Sequence, residues 1–167
     1  MFMLNDVMLF IDGSVHVQSK LGYGAYLAVT ETDLSPGSLR ASVKVQRFEH
    51  TSSTRLELQT LLWALRDIPA SVDTLTVYTD SQNIIGLHKR RGQLEKNNYR
   101  SKNDRLLNNS DLYQAFFRIT DQFNCTFVKV RGHQLSSEKD SIDRLFTLVD
   151  SASRSALRKD VRSKTSY

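Results

Sequence analysis

The stretch Val7-Met8-Leu9-Phe10-Ile11-Asp12-Gly13-Ser14 decides how this chain is read. An unbroken apolar run of this length, without polar alternation, describes a central strand buried on both faces. Gly13 and Ser14 then break it, which puts Asp12 at the strand's end. An acid in that place needs a reason, because a carboxylate taken out of water without a partner is costly or neutralises itself.

Three more acids share the predicament. Glu57 lies inside Leu56-Glu-Leu58-Gln-Thr-Leu61-Leu62, Asp80 closes Leu75-Thr-Val77-Tyr78-Thr79, and Asp150 follows Phe146-Thr-Leu148-Val149. Carboxylates carried on separate apolar elements are best explained by convergence on a shared cation, hence a metal-dependent active site.

The elements around them follow from periodicity. Tyr23 to Val29 and Ala41 to Phe48 read as strands joined through a turn at Ser35-Pro36-Gly37, an antiparallel meander with the first strand. From Thr54 to Ile68 the spacing turns helical, with Glu57, Leu61, Ala64, Leu65 and Ile68 on one face and Pro69 as the stop. Leu75 to Thr79 is a strand, after which Asp80-Ser81 opens a helix through Ile84, Ile85 and Leu87. Asp80 has an ordinary alternative role there as the helix N-cap. A cation-rich segment runs from Lys89-Arg90-Arg91 through Lys96, Arg100, Lys102 and Arg105, and a solvated loop is its plainest reading. Ser110-Asp111 caps an amphipathic helix reaching Phe123, Thr126 to Val130 is a strand, and Ile142 to Ala156 forms a last helix that frays through the basic Arg154 to Lys164. The antiparallel start and later βα units describe one mixed sheet covered by helices.

Bulk properties agree with one domain: 167 residues, 40% hydrophobic and 25% charged, with few Pro and Gly. A net charge of +5 and a sequence pI near 9.4 favour an acidic partner such as nucleic acid. The single Cys125 excludes a disulfide framework and a cysteine-rich zinc site. The N-terminus has no basic n-region, and no apolar run approaches the roughly 18 residues that span a bilayer, so a cytoplasmic protein without a membrane is expected.

In this order and at these spacings, Phe10-Ile-Asp12-Gly-Ser14 with Gly22-Tyr-Gly24-Ala25, Thr54-Arg-Leu-Glu57-Leu58, Tyr78-Thr-Asp80-Ser-Gln82, Val130-Arg-Gly-His133 and Val149-Asp150-Ser-Ala-Ser-Arg154 resemble the type 1 ribonuclease H domain of cellular ribonucleases HI and reverse transcriptases. The resemblance covers nearly the whole chain. It implies an α/β, ribonuclease H-like fold in residues 1–160: a five-stranded mixed sheet, its first three strands antiparallel, flanked by helices, with 161–167 a short basic tail. It also implies an endonuclease that hydrolyses the RNA strand of RNA–DNA hybrids. In the family two divalent ions are held by four acids, here Asp12, Glu57, Asp80 and Asp150, with Asp12 bridging both. Mg²⁺, or Mn²⁺, suits such oxygen ligands better than zinc does. A pair about 3.5–4 Å apart activates a water on one side of the phosphorus and stabilises the leaving oxygen on the other.

The fourth acid has two candidates. Family spacing from His133 picks Asp143, whereas the motif with small residues at Ala152 and Ser153 picks Asp150, which is favoured; both lie on the same helix face. His133 matches the mobile histidine that assists proton transfer or product release, and an imidazole titrating near 6.5 suits either role. His16, His50 and His88 read as ordinary surface residues. Ser14, Ser53, Thr54, Ser81 and Gln82 hold the positions that recognise the minor groove of the hybrid. Ser53-Thr54 replace the family's paired asparagines, so strict hybrid preference is less secure than nuclease activity. Lys89, Arg90 and Arg91 begin the segment that resembles the family's basic protrusion, which grips the DNA strand through phosphates. It lacks the family's tryptophans and offers Tyr99 instead. A single domain points to a monomer. Two rivals remain: a catalytically silent hybrid-binding module, against which the intact acids argue, and another ribonuclease H-like nuclease. Proofreading-type exonucleases carry Asp-x-Glu in the first strand, which Asp12-Gly13-Ser14 lacks.

Overall fold

Strand β1 (Asp6–His16) sits in the middle of the sheet with both faces covered, as its unbroken apolar run requires. A computed structural model describes residues 5–30, 36–131 and 140–164. β2 (Leu21–Thr30) pairs antiparallel with β1, and β3 (Lys44–Phe48) antiparallel with β2. β4 (Thr74–Thr79) lies parallel to β1 on its other side, and β5 (Cys125–Lys129) is parallel to β4. The five strands run in the order β3-β2-β1-β4-β5. This is the mixed sheet expected from the sequence.

Pro36–Leu39 forms a short helix, α1, with a 3-10 turn at Arg40–Ser42, so β3 begins later than the sequence pattern indicated. α2 (Ser53–Asp67), α3 (Gln82–Ile85), α4 (Leu87–Lys96), α5 (Ser110–Thr120) and α6 (Ser141–Lys164) complete the chain. Successive residues of β1 point to opposite faces and serve two cores. Leu9 and Ile11 pack with Leu58, Leu61, Leu62 and Leu65 of α2 and with Leu87, Leu94 and Phe116 of α4 and α5. Phe10 packs with Ala25, Leu27 and Val29 of β2 and with Leu145, Phe146 and Val149 of α6.

Gly13 does not end β1. The strand runs on to His16, with Gly13 opposite Gly24 of β2. The glycines are there for space: a Cβ on Gly13 would stand 2.8 Å from Leu56 Cδ2, one on Gly22 2.9 Å from the same atom, and one on Gly24 would collide with Thr60 Oγ1. Gly13, Gly22 and Gly24 thus form a trough in the β1–β2 hairpin into which α2 sinks.

α6 covers the opposite face and stays helical through the basic stretch to Lys164. Ser14, Tyr23 and Arg47 lie side by side across β1, β2 and β3. Ser14 Oγ is 3.1 Å from Ser153 Oγ, while Tyr23 Oη and Arg47 Nε each donate to Asp160 Oδ2 at 2.7 Å. Ser153 and Asp160 are one heptad apart, so one helix face meets the whole polar row.

Gly24→Ala is expected to destabilise the protein by about 1–3 kcal/mol through overpacking against Thr60, whereas Gly37→Ala, with open space around it, is expected to be near neutral. Urea unfolding of the two variants checks the contrast.

Candidate active site

β1 and β4 part company after the Phe10–Tyr78 pair, and the site forms where they do. Asp12 lies two residues beyond that last pairing, on the α6 face of β1, still held by β2 through Ala25. Asp80 follows directly on Thr79, the last residue of β4. It does not cap the next helix: Ser81 does, its Oγ accepting from Ile84 N at 3.2 Å. Asp80 is thereby left facing Asp12, whose ionisation it opposes.

Glu57 arrives from α2. Ser52 caps this helix, accepting from Arg55 N at 3.3 Å, and the glycine trough lets the first turn approach the sheet. The Ser81 hydroxyl donates to Glu57 Oε2 at 2.6 Å, so the cap of α3 also orients a carboxylate from α2. Burial raises the Glu57 pKa and Asp80 adds to the rise, while the Ser81 hydrogen bond opposes it.

Asp150 comes from α6. It stands close enough to Asp12 to oppose its ionisation and forms an ion pair with Arg154 Nε at 2.8 Å. Asp143, the alternative fourth acid, stands two turns earlier at the helix start. There its backbone N–H donates to Asp140 Oδ1 at 2.8 Å, and its own carboxylate accepts from Asp140 N at 3.3 Å. This reciprocal pair is a helix-start arrangement. The structure therefore brings Asp150, and not Asp143, to Asp12.

The electrostatic outcome centres on Asp12. Burial, then the charge of Asp80, then Asp150 push its pKa up to about 8. Like charges held this closely disfavour one another's ionisation, and a proton or a cation relieves them. Among the described residues no three acids, histidines or cysteines already stand as a closed metal cage. Asp150 is paired with Arg154, and Glu57 accepts from Ser81. An all-oxygen donor set of this kind suits a hard divalent ion.

Of the other expected site residues, Ser14 is engaged with Ser153, and Ser81 is buried and serves Glu57. Gln82 accepts from Lys129 Nζ at 2.7 Å. Ser53 and Thr54 occupy the first turn of α2. Lys89, Arg90 and Arg91 lie on α4, so the start of the cationic segment is helix and not loop. Arg91 donates to both oxygens of Asp121, at 2.7 and 2.9 Å, and to Glu95, and covers the Phe117 ring. Arg90 donates to Asn83 and lies over Tyr113. His88 packs against Phe116, Phe117 and Phe127, and burial lowers its pKa. His133 lies outside the described residues.

The sequence reading missed an open groove of about 880 Å³ at the N-terminal turn of α2, lined by Lys20, Arg55, Arg90, Asn108 and Asn109 among others. Arg55 is its anchor, donating to Asn109 Oδ1 at 3.1 Å and to Asp111 at 3.1 and 3.3 Å. Its signal was available: Arg55 is two residues before Glu57, at an N-terminal turn that also exposes backbone N–H groups.

The ribonuclease H family model matches residues 4–149, which is most of the chain. The chain belongs to the ribonuclease H family. It is 31% identical over 114 residues to a Ribonuclease H of Caldicellulosiruptor saccharolyticus, covering 66% of this chain and 72% of that one. It is 27% identical over 143 residues to one of Orientia tsutsugamushi, covering 84% and 80%, and 24% identical to one of Francisella philomiragia, covering 84% and 88%. Family and relatives support ribonuclease H activity, a nuclease hydrolysis. Among the described residues no helix is long and apolar enough to cross a membrane.

The raised Asp12 pKa sets the pH behaviour of the metal-free protein. Unfolded, Asp12 ionises near 3.8; folded, it keeps its proton until about 8, so rising pH between these values favours the unfolded chain. Metal-free Asp12→Asn is expected to melt above the wild-type protein at pH 8, by about 2–4 °C for each kcal/mol of repulsion relieved. The gap should close toward pH 4. Thermal melts in EDTA across that range check it.

Proposed function

We propose that this ribonuclease H cuts the RNA strand of RNA–DNA hybrids internally, using two divalent ions, Mg²⁺ or Mn²⁺, held by Asp12, Glu57, Asp80 and Asp150. The approach of Asp80 and Asp150 to Asp12, with Glu57 in turn beside Asp80, and the raised Asp12 pKa support the reading. When bound, such ions activate the attacking water and neutralise charge on the leaving oxygen.

The protein's own residues do the rest. Asp12, with Asp80 and Asp150 near it, would be a shared ligand for such ions. Ser81 holds Glu57 in one orientation, and such outer partners tune ligand strength. Arg154 keeps Asp150 paired until a cation replaces it. His133 assists proton transfer or product release. In the groove, Lys20 and Arg90 offer positive charge beside the amides of Asn108 and Asn109, with Arg55 tied to Asp111, a fitting cradle for a backbone phosphate of the hybrid. Ser53, Thr54 and Gln82 are assigned to the strand that bears 2′-hydroxyls, while Ser14 is occupied by Ser153 of α6. Lys89 and Arg90 serve the DNA strand, while Arg91 braces α4 against Asp121. The enzyme works as a monomer in the cytoplasm, consistent with one domain and a lone, partly buried Cys125.

The reading is tested by incubating the protein with labelled RNA–DNA hybrid, duplex RNA and duplex DNA, in Mg²⁺, Mn²⁺ or EDTA, beside Asp12→Asn. Internal cuts in the hybrid alone, metal-dependent and lost in the variant, are expected. Binding without cleavage under every metal would instead make it a silent hybrid-binding module, and cuts in the other duplexes would make it a neighbouring nuclease. Ser81→Ala is expected to raise the Mg²⁺ concentration for half-maximal rate by about ten-fold or more, with kcat at saturating Mg²⁺ changed less; a metal titration of the rate reads it.

A further inference from the structure

Beyond Ser153, α6 continues to Lys164 without a single fully buried residue. This segment contributes little to either core, yet it is held firmly, through the Asp160 carboxylate that Tyr23 and Arg47 share. Asp160 is the only acid among residues 154–164, and it is turned to the sheet. Arg154, Arg158, Lys159, Arg162 and Lys164 are all exposed, so the outer surface carries cations alone. Attraction of cations to a helix C-terminus falls off within the last turn. It accounts for Arg162 and Lys164 but not for Arg158 and Lys159.

The position of these charges gives them a use. Asp150, Arg154, Arg158 and Arg162 follow one another at single-turn steps, so the series starts at a carboxylate of the active site and leads away from it. At 1.5 Å per residue, the helix carries positive charge about 21 Å beyond Asp150. A regular polyanion running from the active site along this helix would meet those charges next.

We propose that the C-terminal half of α6 is a second backbone-binding surface, on which Arg158, Lys159 and Arg162 hold phosphates of the hybrid away from the cut site. This rests on the hybrid-nuclease reading above. The polar row Ser14, Tyr23 and Arg47 acts as its mount. The surface lengthens the stretch of duplex engaged without touching the chemistry.

The test compares the wild-type protein with Arg158→Gln/Lys159→Gln/Arg162→Gln on two hybrids, one only long enough to cover the acids and the groove and one extended by about two turns. kcat/KM is measured across a salt series. On the long hybrid the variant is expected to lose about ten-fold in kcat/KM at low salt, and its log–log salt slope to shrink by two to three, near 0.9 per lost phosphate contact. On the short hybrid it should match the wild type, as should kcat on both. Arg158→Lys/Arg162→Lys should keep the wild-type slope. Equal behaviour of the triple variant and the wild type on the long hybrid would overturn the proposal, and so would an equal loss on both lengths. A wild-type protein that cuts neither hybrid would sink the nuclease reading instead. If the triple variant melts early, Arg158→Gln and Lys159→Gln singly, each expected to lower the slope by about one, decide the matter.

Discussion

Repulsion among carboxylates at the open end of β1 and β4 is the constraint the rest of this structure answers to. Burial first, and then the nearby charges of Asp80 and Asp150, hold Asp12 protonated well above its ordinary range. No local sequence preference brings like charges together. They are held by elements anchored elsewhere: β1 by two cores, α2 by its leucines, and α6 by Phe146, Val149 and the polar row reaching Asp160. Folding free energy gained far from the site is set against electrostatic cost at it, which is the usual character of a preorganised centre.

The two faces of the sheet divide this work. On one, the trough of Gly13, Gly22 and Gly24 lets α2 sink close enough to bring Glu57 to Ser81. On the other, Phe10, Asp12 and Ser14 share a face with α6, so the contact that docks the helix, Ser14 with Ser153, is one residue pair along from the contact that joins Asp12 to Asp150. The parallel neighbour β4 stops pairing with β1 at Phe10, which leaves room for the acids beyond it.

Much of this was legible in the sequence. The apolar run at Val7 to Ile11, the helical face around Glu57 and the strand before Asp80 gave the sheet, its central strand and three acids on separate elements. Where the reading fell short, the missing information was three-dimensional. Gly13 read as a strand break because a lone glycine usually is one; the space that Leu56 needs above it belongs to another element. Asp80 and Ser81 are equally good caps, and only the structure gives the role to Ser81. Asp143 and Asp150 share a helix face, so periodicity could not separate them; their height along the sheet does. The extent of α6 was hidden because Asp160, its anchor, finds Tyr23 and Arg47 from far along the chain. Arg91 read as part of a solvated cationic segment, and its partner Asp121 lies on the far side of α5 in sequence.

If these carboxylates are a cation site held under mutual repulsion, their protons must be linked to the cation. The most direct test follows the Asp12 carboxyl carbon by NMR through a pH titration, in EDTA and again with Mg²⁺. The account predicts a midpoint near 8 without metal and a large fall when Mg²⁺ is present. A midpoint in the ordinary carboxylate range, indifferent to Mg²⁺, would contradict it.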